Sequence, residues 1–260
     1  MPDTQVSPEI VTVACLADNY AFLVHDHLSG ATAVFDVPEA APIMAALAAR
    51  GWQLSDIVIT HHHGDHIDGV AELRAATGAK VWGARADAHR LPPLDHALAE
   101  GDRVAIGQLV VHVIDVPGHT VGHVAYHLPA AKAVFTADSL MALGCGRLFE
   151  GSAAQMWDSL QKLAALPPDT LVCSGHEYTA SNARFALTIE PDNPALISRC
   201  EEIASARAAN RPTVPSILAT ELATNPFLRA NQSGIAQRLG LDGQEPAVVF
   251  ARIRSLKDSF

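Results

Sequence analysis

The sequence lacks long apolar runs, paired cysteines and an excess of basic residues, and each lack excludes a class of protein. No uninterrupted apolar segment approaches the roughly 18 residues of a membrane-spanning helix. The first residues show no positively charged region followed by an apolar stretch, as a secretory signal would. We therefore expect a soluble, cytosolic protein.

The charge balance and the cysteines narrow the possibilities further. Lys and Arg number 18 against 28 Asp and Glu, a net charge of -10, whereas nucleic-acid binding needs a basic face. We therefore expect no nucleic-acid substrate. The four cysteines form no CxxC pair and are too scattered for a disulfide framework, so we expect reduced thiols. With 260 residues of which 49% are hydrophobic, one large domain and a smaller appendage are expected.

A dense group of potential metal ligands follows the apolar run Ile57–Ile59. The segment 60–66 contains four histidines and one aspartate. Imidazole and carboxylate suit zinc and its neighbours, and the absence of thiolates favours an open catalytic site over a closed structural one. If the segment leaves the strand in an extended conformation, His61 and His63 point to one side and His62 points away.

Asp65 and His66 fall in the turn that begins the next helix, which we place at residues 67–76. A neighbouring ion can take one ligand from each, so two metal ions are plausible. The alternative is a surface run of histidines with an aspartate that caps the helix. The apolar strand before the segment argues against that alternative.

Three later segments supply further candidates at strand ends. His119 lies in a Pro-Gly-His turn, Asp138 follows an apolar strand, and His176 ends another one. A rigid loop at a strand junction can bring in a ligand from a distant part of the sequence. Asp138 by itself could instead cap a turn. His123, at the start of the next strand, is either a partner of the ligands or a core residue.

The order of these residues resembles the metallo-β-lactamase superfamily, and within it the hydroxyacylglutathione hydrolase (glyoxalase II) family over nearly the whole chain. The motifs that carry the resemblance are Asp18–Tyr20, Thr60–His63, Gly144–Gly151, Gly175–Thr179, Asn225–Arg229 and Lys257–Phe260. The resemblance implies an α/β fold. An αββα sandwich would form the catalytic domain in residues 1–177, and a helical substrate-binding domain, in which we find no clear strands, would occupy residues 178–260.

The resemblance also implies the composition of the metal centre. One ion would be bound by His61, His63 and His119, the other by Asp65, His66 and His176, and Asp138 would bridge them. Asp65 and Asp138 are the implied catalytic residues. Two divalent ions are expected, with zinc first and iron or manganese as alternatives, because imidazole and carboxylate accept all three.

The implied reaction is hydrolysis of S-(2-hydroxyacyl)glutathione, above all S-D-lactoylglutathione, to glutathione and a 2-hydroxy acid, a step of methylglyoxal detoxification. The glutathione part would be held by Arg147, Phe149, Tyr178, Arg254 and Lys257. Of these, Arg254 and Lys257 share one helical face, which we expect at a water-accessible rim. The expected partner is thus a small molecule, with neither nucleic acid nor membrane involved, and the protein is expected to be a monomer.

Two positions depart from the family pattern. Asp68 stands where glycine is usual and could contact a ligand or cap the helix, and Phe149 stands where tyrosine is common, without its hydroxyl. The alternative functions on this fold are a mononuclear-iron persulfide dioxygenase, a lactonase and a β-lactamase. The Asn225–Arg229 and Lys257–Phe260 segments argue against all three.

The number of candidate ligands predicts the metal content. Seven donors exceed what one four- or five-coordinate ion uses, so elemental analysis of metal-loaded protein should give about two ions per chain. A single ion per chain after full loading would contradict a binuclear centre.

Overall fold

Runs of short strands, separated by helices, make up most of the first two thirds of the chain, and helices predominate afterwards, as the resemblance implies. The computed structural model describes residues 7–260. The chain forms two compact units. The first comprises the residues up to Asp115 together with Gly122–Phe135, and the second comprises Val116–Val121 and Thr136–Phe260.

The strands of the described residues are β1 (Glu9–Cys15), β2 (Asn19–His25), β3 (Thr32–Phe35), β4 (Asp56–Val58), β5 (Lys80–Ala84), β6 (His96–Leu98), β7 (Arg103–Ile106), β8 (Leu109–Asp115), β9 (Val124–Leu128), β10 (Ala133–Ala137), β11 (Leu140–Met141), β12 (Gly144–Cys145), β13 (Leu171–Ser174) and β14 (Ser216–Ile217). The α-helices are α1 (Ala40–Arg50), α2 (Gly64–Ile67), α3 (Val70–Thr77), α4 (Ala153–Ala164), α5 (Thr179–Ile189), α6 (Pro194–Ala208), α7 (Leu218–Thr224), α8 (Ser233–Arg238) and α9 (Pro246–Asp258).

In the first unit, β1 to β6 form a mixed sheet in chain order. The strands β1, β2 and β3 pair antiparallel, and β3 to β6 pair parallel. The helices α1 and α3 cover one face of this sheet, where Ile43, Leu47 and Leu73 join a buried apolar cluster. This face excludes water from the strands that lead into the ligand segment.

A second sheet of the first unit contains β7, β8, β9 and the beginning of β10, all paired antiparallel. The rings of Phe35 and Phe135 stack with their centroids 3.7 Å apart, so the two sheets are in contact. The hydroxyl of Tyr126 donates a 2.7 Å hydrogen bond to the carbonyl of Ile59. This bond fixes the exit of the buried strand just before residues 60–66, which carry the candidate ligands.

The helix expected at residues 67–76 begins later, at Val70, and the turn expected before it forms a separate short helix, α2. In a continuous helix, the amides and carbonyls near residue 68 would form hydrogen bonds within the helix. Instead the carbonyl of His66 accepts from the amide of Val37 at 2.8 Å, and the amide of Gly69 donates to the carbonyl of Val37 at 3.0 Å. These main-chain bonds separate α2 from α3, and they place Asp65 and His66 inside a short helix of their own.

The second unit contains the end of β10, the hairpin β11–β12, and β13 paired antiparallel with β14. The expectation of no strands beyond residue 178 was therefore wrong for β14. With two residues, β14 is too short to leave a periodic pattern. The helices α5 and α6 enclose an apolar cluster that includes Leu143 of the hairpin.

Helix α4 supports the loop that carries His119. Its Ser159 hydroxyl donates to the carbonyl of Pro117 at 2.7 Å. Just before the helix, the amide of Gly151 donates to the carbonyl of Gly118 at 3.1 Å. Because a side chain at Gly118 would lie 2.7 Å from Cβ of Met156, only glycine allows this close approach.

Throughout residues 7–260, none of the helices is both long enough and apolar enough to cross a membrane.

The N-terminus of α4 gives a stability prediction. Ser152 and Gln155 form a capping box, in which each side chain accepts a hydrogen bond from the other residue's amide. Replacing Ser152 by Ala should lower the free energy of unfolding by about 1 kcal/mol, measured by urea denaturation. Ser205→Ala, on the exposed face of α6, is the control and should change it by only a few tenths of a kcal/mol at most. Equal losses in both variants would contradict the capping role.

Candidate metal centre

His61 and His63 lie directly after the buried strand β4 and contact each other. The carbonyl of Thr60 accepts from the amide of Val124 at 3.0 Å, which anchors the chain where the strand ends. Two residues apart on extended chain, the two histidines face the same side, and Nε2 of His61 lies 3.1 Å from Nδ1 of His63. Two ring nitrogens this close suit a shared cation.

The tautomers of His61 and His66 are set by Asp36 and Thr60. The carboxylate of Asp36 accepts from the amide and the hydroxyl of Thr60, each at 2.8 Å, and lies 2.8 Å from Nδ1 of His66. A carboxylate only accepts, so His66 carries its proton on Nδ1. Because the Thr60 hydroxyl donates to Asp36, its oxygen accepts from Nδ1 of His61 at 3.0 Å. Both rings therefore present Nε2 as the ligand atom, as metal-binding histidines do.

Asp65 is oriented by Asn19. The side-chain amide of Asn19 donates to the carbonyl of Asp65 at 3.0 Å and to its Oδ2 at 3.1 Å. That oxygen lies 3.7 Å from Nε2 of His66. The carboxylate of Asp65 and the ring of His66 thus face the same region.

Two further histidines of the first unit, His62 and His123, contact the candidate ligands without belonging to them. His62 points away, as the extended interpretation predicts, and its Nδ1 lies 3.2 Å from Oδ2 of Asp87. His123 is buried and its ring stacks on that of His61, with centroids 4.5 Å apart. Of the two alternatives left by the sequence, the structure favours a packing partner that fixes the ring of a candidate ligand.

In the second unit, one carboxylate lies between two histidines. Oδ2 of Asp138 is 3.4 Å from Nε2 of His119, and its Oδ1 is 3.3 Å from Nε2 of His176. All three residues are buried. A carboxylate with one oxygen toward each of two imidazoles suits a residue that bridges two ions.

The backbone around Asp138 and His119 is tightly constrained. Ala137 has a φ of 41°, so the chain leaves β10 sharply and turns Asp138 off the strand. The carbonyl of Arg147 lies 2.9 Å from Nδ1 of His119, and because a carbonyl only accepts, Nδ1 carries the proton. A side chain at Gly146 would lie 2.0 Å from the carbonyl oxygen of Asp138, so this position has to be glycine.

The donor chemistry of both units fits divalent metal ions. The rings of His61, His66 and His119 each donate from Nδ1 to a protein oxygen and present Nε2. The carboxylate of Asp65 faces the ring of His66, and that of Asp138 faces the ring of His119. Asp36, His61 and His66 also form a group whose ligand atoms lie within 4.8 Å of one another. Such sets of nitrogen and oxygen suit zinc, iron or manganese alike, so the chemistry does not select one metal.

Three of the expected substrate-binding residues are accessible and lie by the candidate ligands of the second unit. Phe149 is 62% exposed, and its ring centroid is 5.3 Å from that of His119. Tyr178 is 40% exposed and stacks on His176 at 4.5 Å. The side chain of Arg147 is 64% exposed. These side chains can contact a ligand without any rearrangement of the core.

The expectation that Arg254 lies at a water-accessible rim was wrong. Its side chain is 6% exposed, and it donates to the carbonyl of Cys145 at 2.9 Å and to the carboxylate of Asp258 at 2.9 Å. Its guanidinium also lies 5.1 Å from the ring centroid of Phe227. The buried neighbours Cys145 and Phe227 are distant in sequence, which is why helical periodicity alone gave the wrong exposure.

Lys257 is half-buried between the rings of Phe185 and Phe260, at 5.4 and 5.1 Å from their centroids. Burial lowers the pKa of this amine, and the positive charges of Arg254, Arg184 and Arg147 lower it further. Four cations therefore share one region of the second unit of an otherwise acidic protein. An anionic group of a ligand would relieve their mutual repulsion.

Two further positions answer questions raised by the sequence. Asp68 is exposed at the C-terminal end of α2, which it caps through its backbone amide, a donor to the carbonyl of Gly64 at 2.8 Å. Its carboxylate lies beside Gly64. Cys145 is buried, which raises the pKa of its thiol to about 11. A thiol protonated at neutral pH is a poor nucleophile.

The sequence did not indicate that Asp36 orients His66 and Thr60. It placed Asn19 in the Asp18–Tyr20 motif but did not indicate that Asn19 bonds to Asp65. Asp36 ends a strand and has a φ of 58°, but one aspartate after an apolar run is common and indicates no partner. Its three donors come from residues 24 and 30 positions later in the chain. Only the folded structure brings them together.

Comparison with known proteins gives matches over nearly the whole chain. A model of the metallo-beta-lactamase superfamily matches residues 29–176, and a model described as hydroxyacylglutathione hydrolase C-terminus matches residues 177–260. A curated protein of Jannaschia sp. (strain CCS1), named hydroxyacylglutathione hydrolase, is 72% identical over 97% of this chain and 99% of its own length.

Solved structures show the same fold. The crystal structure of ETHE1 from Myxococcus xanthus has a TM-score of 0.65 and 26% identity, and covers 96% of this chain and 99% of that one. The crystal structure of TTHA1623 in a di-iron-bound form has a TM-score of 0.60 and 26% identity, and covers 85% of this chain and 100% of that one. The expected two-sheet α/β architecture is thus confirmed.

The contacts of Asp36 give a prediction about metal affinity. The Asp36→Asn substitution replaces one carboxylate oxygen by an amide group, which cannot accept from both Thr60 and His66, and so disturbs the tautomer of His66. Zinc affinity, measured by chelator competition, should fall about tenfold to a hundredfold. Asp56→Asn is the matched control, because Asp56 is also buried but accepts from Trp82 and Ser55 instead of from a candidate ligand. Equal losses in both variants would contradict the role of Asp36.

Proposed function

The chain belongs to the hydroxyacylglutathione hydrolase family of the metallo-β-lactamase superfamily, and we propose that it hydrolyses S-(2-hydroxyacyl)glutathione thioesters, with S-D-lactoylglutathione as the principal substrate. Water adds to the thioester carbonyl carbon, the carbon–sulfur bond breaks, and glutathione and D-lactate are released. The observation that carries this proposal lies in the second unit. There, buried candidate ligands contact exposed aromatic rings, and a group of cations lies on the same unit.

For the metal centre we propose the ligand sets that the resemblance implies. These are His61, His63 and His119 for one ion, Asp65, His66 and His176 for the other, and Asp138 as the bridge. Zinc is the proposed metal, with iron or manganese as alternatives. TTHA1623, which has the same fold, has been crystallised in a di-iron-bound form. When bound, such ions supply Lewis acidity and lower the pKa of water toward about 7.

The chain's own residues have two tasks at the metal centre. Asp36, Thr60 and the carbonyl of Arg147 keep protons on the Nδ1 atoms, so that Nε2 faces the centre. Asp65 and Asp138 provide the carboxylates. No protein nucleophile is required, in agreement with the raised pKa of Cys145, and a thiolate leaves readily without a strong general acid.

The substrate is held by groups outside the metal centre. Phe149 and Tyr178 offer exposed rings, and Arg147 and Lys257 offer positive charge for the glutathione carboxylates. Arg254 contributes through its contacts with Cys145 and Asp258, which orient helix α9 and the neighbouring Arg147, whose Nε lies 3.7 Å from Asp258. We keep residues 1–177 as the catalytic domain and residues 178–260 as the substrate-binding domain.

Three further properties belong to the same proposal. The match of residues 177–260 to the hydrolase C-terminal model favours this reaction over persulfide dioxygenase, lactonase or β-lactamase activity. We propose a cytoplasmic protein of methylglyoxal detoxification, since its four free cysteines suit a reducing compartment. A monomer suffices, because every proposed ligand and substrate contact comes from one chain.

The decisive experiment measures hydrolysis of S-D-lactoylglutathione by metal-loaded protein, alongside a small lactoyl thioester that lacks the glutathione carboxylates. Lys257→Ala should raise KM for the glutathione thioester about tenfold, since a charge-assisted contact contributes roughly 1.5 kcal/mol or more. Its kcat should change little if binding is equal in ground and transition states. The small thioester should be unaffected.

Arg252→Ala is the matched control, because Arg252 is a cation on the exposed face of the same helix. It should leave both substrates unchanged. Equal loss toward both substrates in Lys257→Ala would show that the lysine only supports the folding of α9. Failure of fully metal-loaded parent protein to hydrolyse the glutathione thioester would overturn the proposed function.

A further inference from the structure

The hairpin β11–β12 follows Asp138 by two residues and leads directly to Gly146 and Arg147. Its turn is irregular, because Leu143 has a φ of 55° without being glycine. With two residues in each strand, the hairpin forms few hydrogen bonds of its own. Its backbone must therefore be held by other parts of the unit.

Polar side chains from two helices provide these contacts. Asn225, just after α7, donates to the carbonyls of Met141 at 3.1 Å and Gly144 at 3.0 Å. Oε2 of Glu221 in α7 accepts from the amide of Leu143 at 2.9 Å. From α5, Asn182 donates to the carbonyl of Ala142 at 3.0 Å. Every residue from 141 to 144 thus has a backbone group bonded to a buried side chain.

A buried ion pair with Arg199 holds the carboxylate of Glu221 in place. Glu221 is 0% exposed and pairs with Arg199, which is itself buried. Arg199 also donates to the hydroxyl of Thr224 at 2.6 Å. One carboxylate oxygen of Glu221 faces Arg199, and the other accepts from Leu143 and Asn225. Burial of a charge pair is costly unless its remaining hydrogen bonds are satisfied, and here the hairpin amide of Leu143 and the side chain of Asn225 donate to the second oxygen of Glu221.

The position of the hairpin determines the position of two candidate metal ligands. Directly after β12, Gly146 lies against the backbone of Asp138 and the ring of His119, where an added Cβ would be 2.0 Å from the Asp138 carbonyl oxygen and 2.8 Å from Nδ1 of His119. The next residue, Arg147, accepts from that same Nδ1. A shift of the hairpin would therefore move both ligands.

We propose that Glu221, held by Arg199 and assisted by Asn225, is a positioning residue for Asp138 and His119. We call these three residues the hairpin clasp. The proposal rests on the proposed function for the ligand role of Asp138 and His119. It assigns a task to Asn225, the first residue of the Asn225–Arg229 motif, which neither the metal set nor the substrate contacts use. The clasp acts through the backbone of the hairpin and contacts neither the metal nor the substrate.

The test compares two variants that both lack the ion pair and differ in one acceptor atom. Arg199→Met with Glu221→Gln keeps an oxygen for the amide of Leu143, whereas Arg199→Met with Glu221→Met removes it. Amide hydrogen exchange of residues 138–147 is measured in metal-free protein, and zinc affinity is measured by chelator competition. In the variant Arg199→Met with Glu221→Met, the amides of residues 138–147 should exchange at least tenfold faster than in the parent. Zinc should bind about tenfold more weakly, because loss of the groups that orient metal ligands has effects of this size. The glutamine variant should stay within about threefold of the parent in both.

A third double variant tests whether the loss of another salt bridge in the same unit has the same effect. Arg229 and Glu190 form a bidentate pair in the same unit. Arg229 also donates to the carbonyl of Leu222 in α7 at 3.3 Å, and these bonds of the two side chains reach neither the hairpin nor a candidate ligand. Replacing both by Met should leave exchange of residues 138–147 and zinc affinity unchanged. Should the variant with Met at 199 and 221 fail to fold, Asn182→Leu removes a single bond to Ala142 and should shift both readouts in the same direction by a smaller factor.

Three results would overturn the proposal. They are unchanged exchange in the variant Arg199→Met with Glu221→Met, faster exchange with unaltered zinc affinity, and equal losses in the Arg229 and Glu190 control. Parent protein that binds no zinc would instead contradict the proposed function. In that case the exchange measurement would still decide whether Glu221 holds the segment that carries Asp138.

Discussion

Fixed protonation of the imidazoles is the constraint on which the rest of the centre depends. A neutral imidazole has one donor and one acceptor nitrogen, and it binds a metal only through the acceptor. Oxygens of Asp36, Thr60 and Arg147 hold the proton on Nδ1 of three candidate ligands. The oxygens come from a strand end, a strand exit and the segment after a hairpin. The scaffold must therefore be accurate at several distant points before any ion can bind.

The sequence predicted the elements that follow regular periodicity and the ligands that stand at their ends. The strand before His61 is present, and helices predominate from residue 178 onward, as expected. The break between α2 and α3 escaped prediction because its cause is a pair of hydrogen bonds to Val37, about 30 residues earlier. The hairpin β11–β12 escaped because two-residue strands have no detectable pattern.

The site shows the same division between local and distant causes. The candidate ligands are concentrated in histidine-rich segments and were identified from the chain alone, whereas Asp36 and Glu221 look like ordinary acidic residues of a strand end and a helix. Arg254 is the opposite case. Its sequence environment suggested an exposed cation, but its partners Cys145 and Phe227 enclose it. Burial of a charged residue depends on partners that only the tertiary fold supplies.

The backbone bonds of Val37 determine which substitutions this position tolerates. They are made by main-chain atoms, through the amide to the carbonyl of His66 and through the carbonyl to the amide of Gly69. Any small apolar residue at this buried position could form them, since the side chain contributes packing alone. Exchange between small apolar residues at position 37 should therefore preserve the geometry of α2, whereas proline, which has no amide hydrogen, would lose the bond to His66. Val37 helps to place two candidate metal ligands through main-chain atoms that the identity of its side chain does not determine.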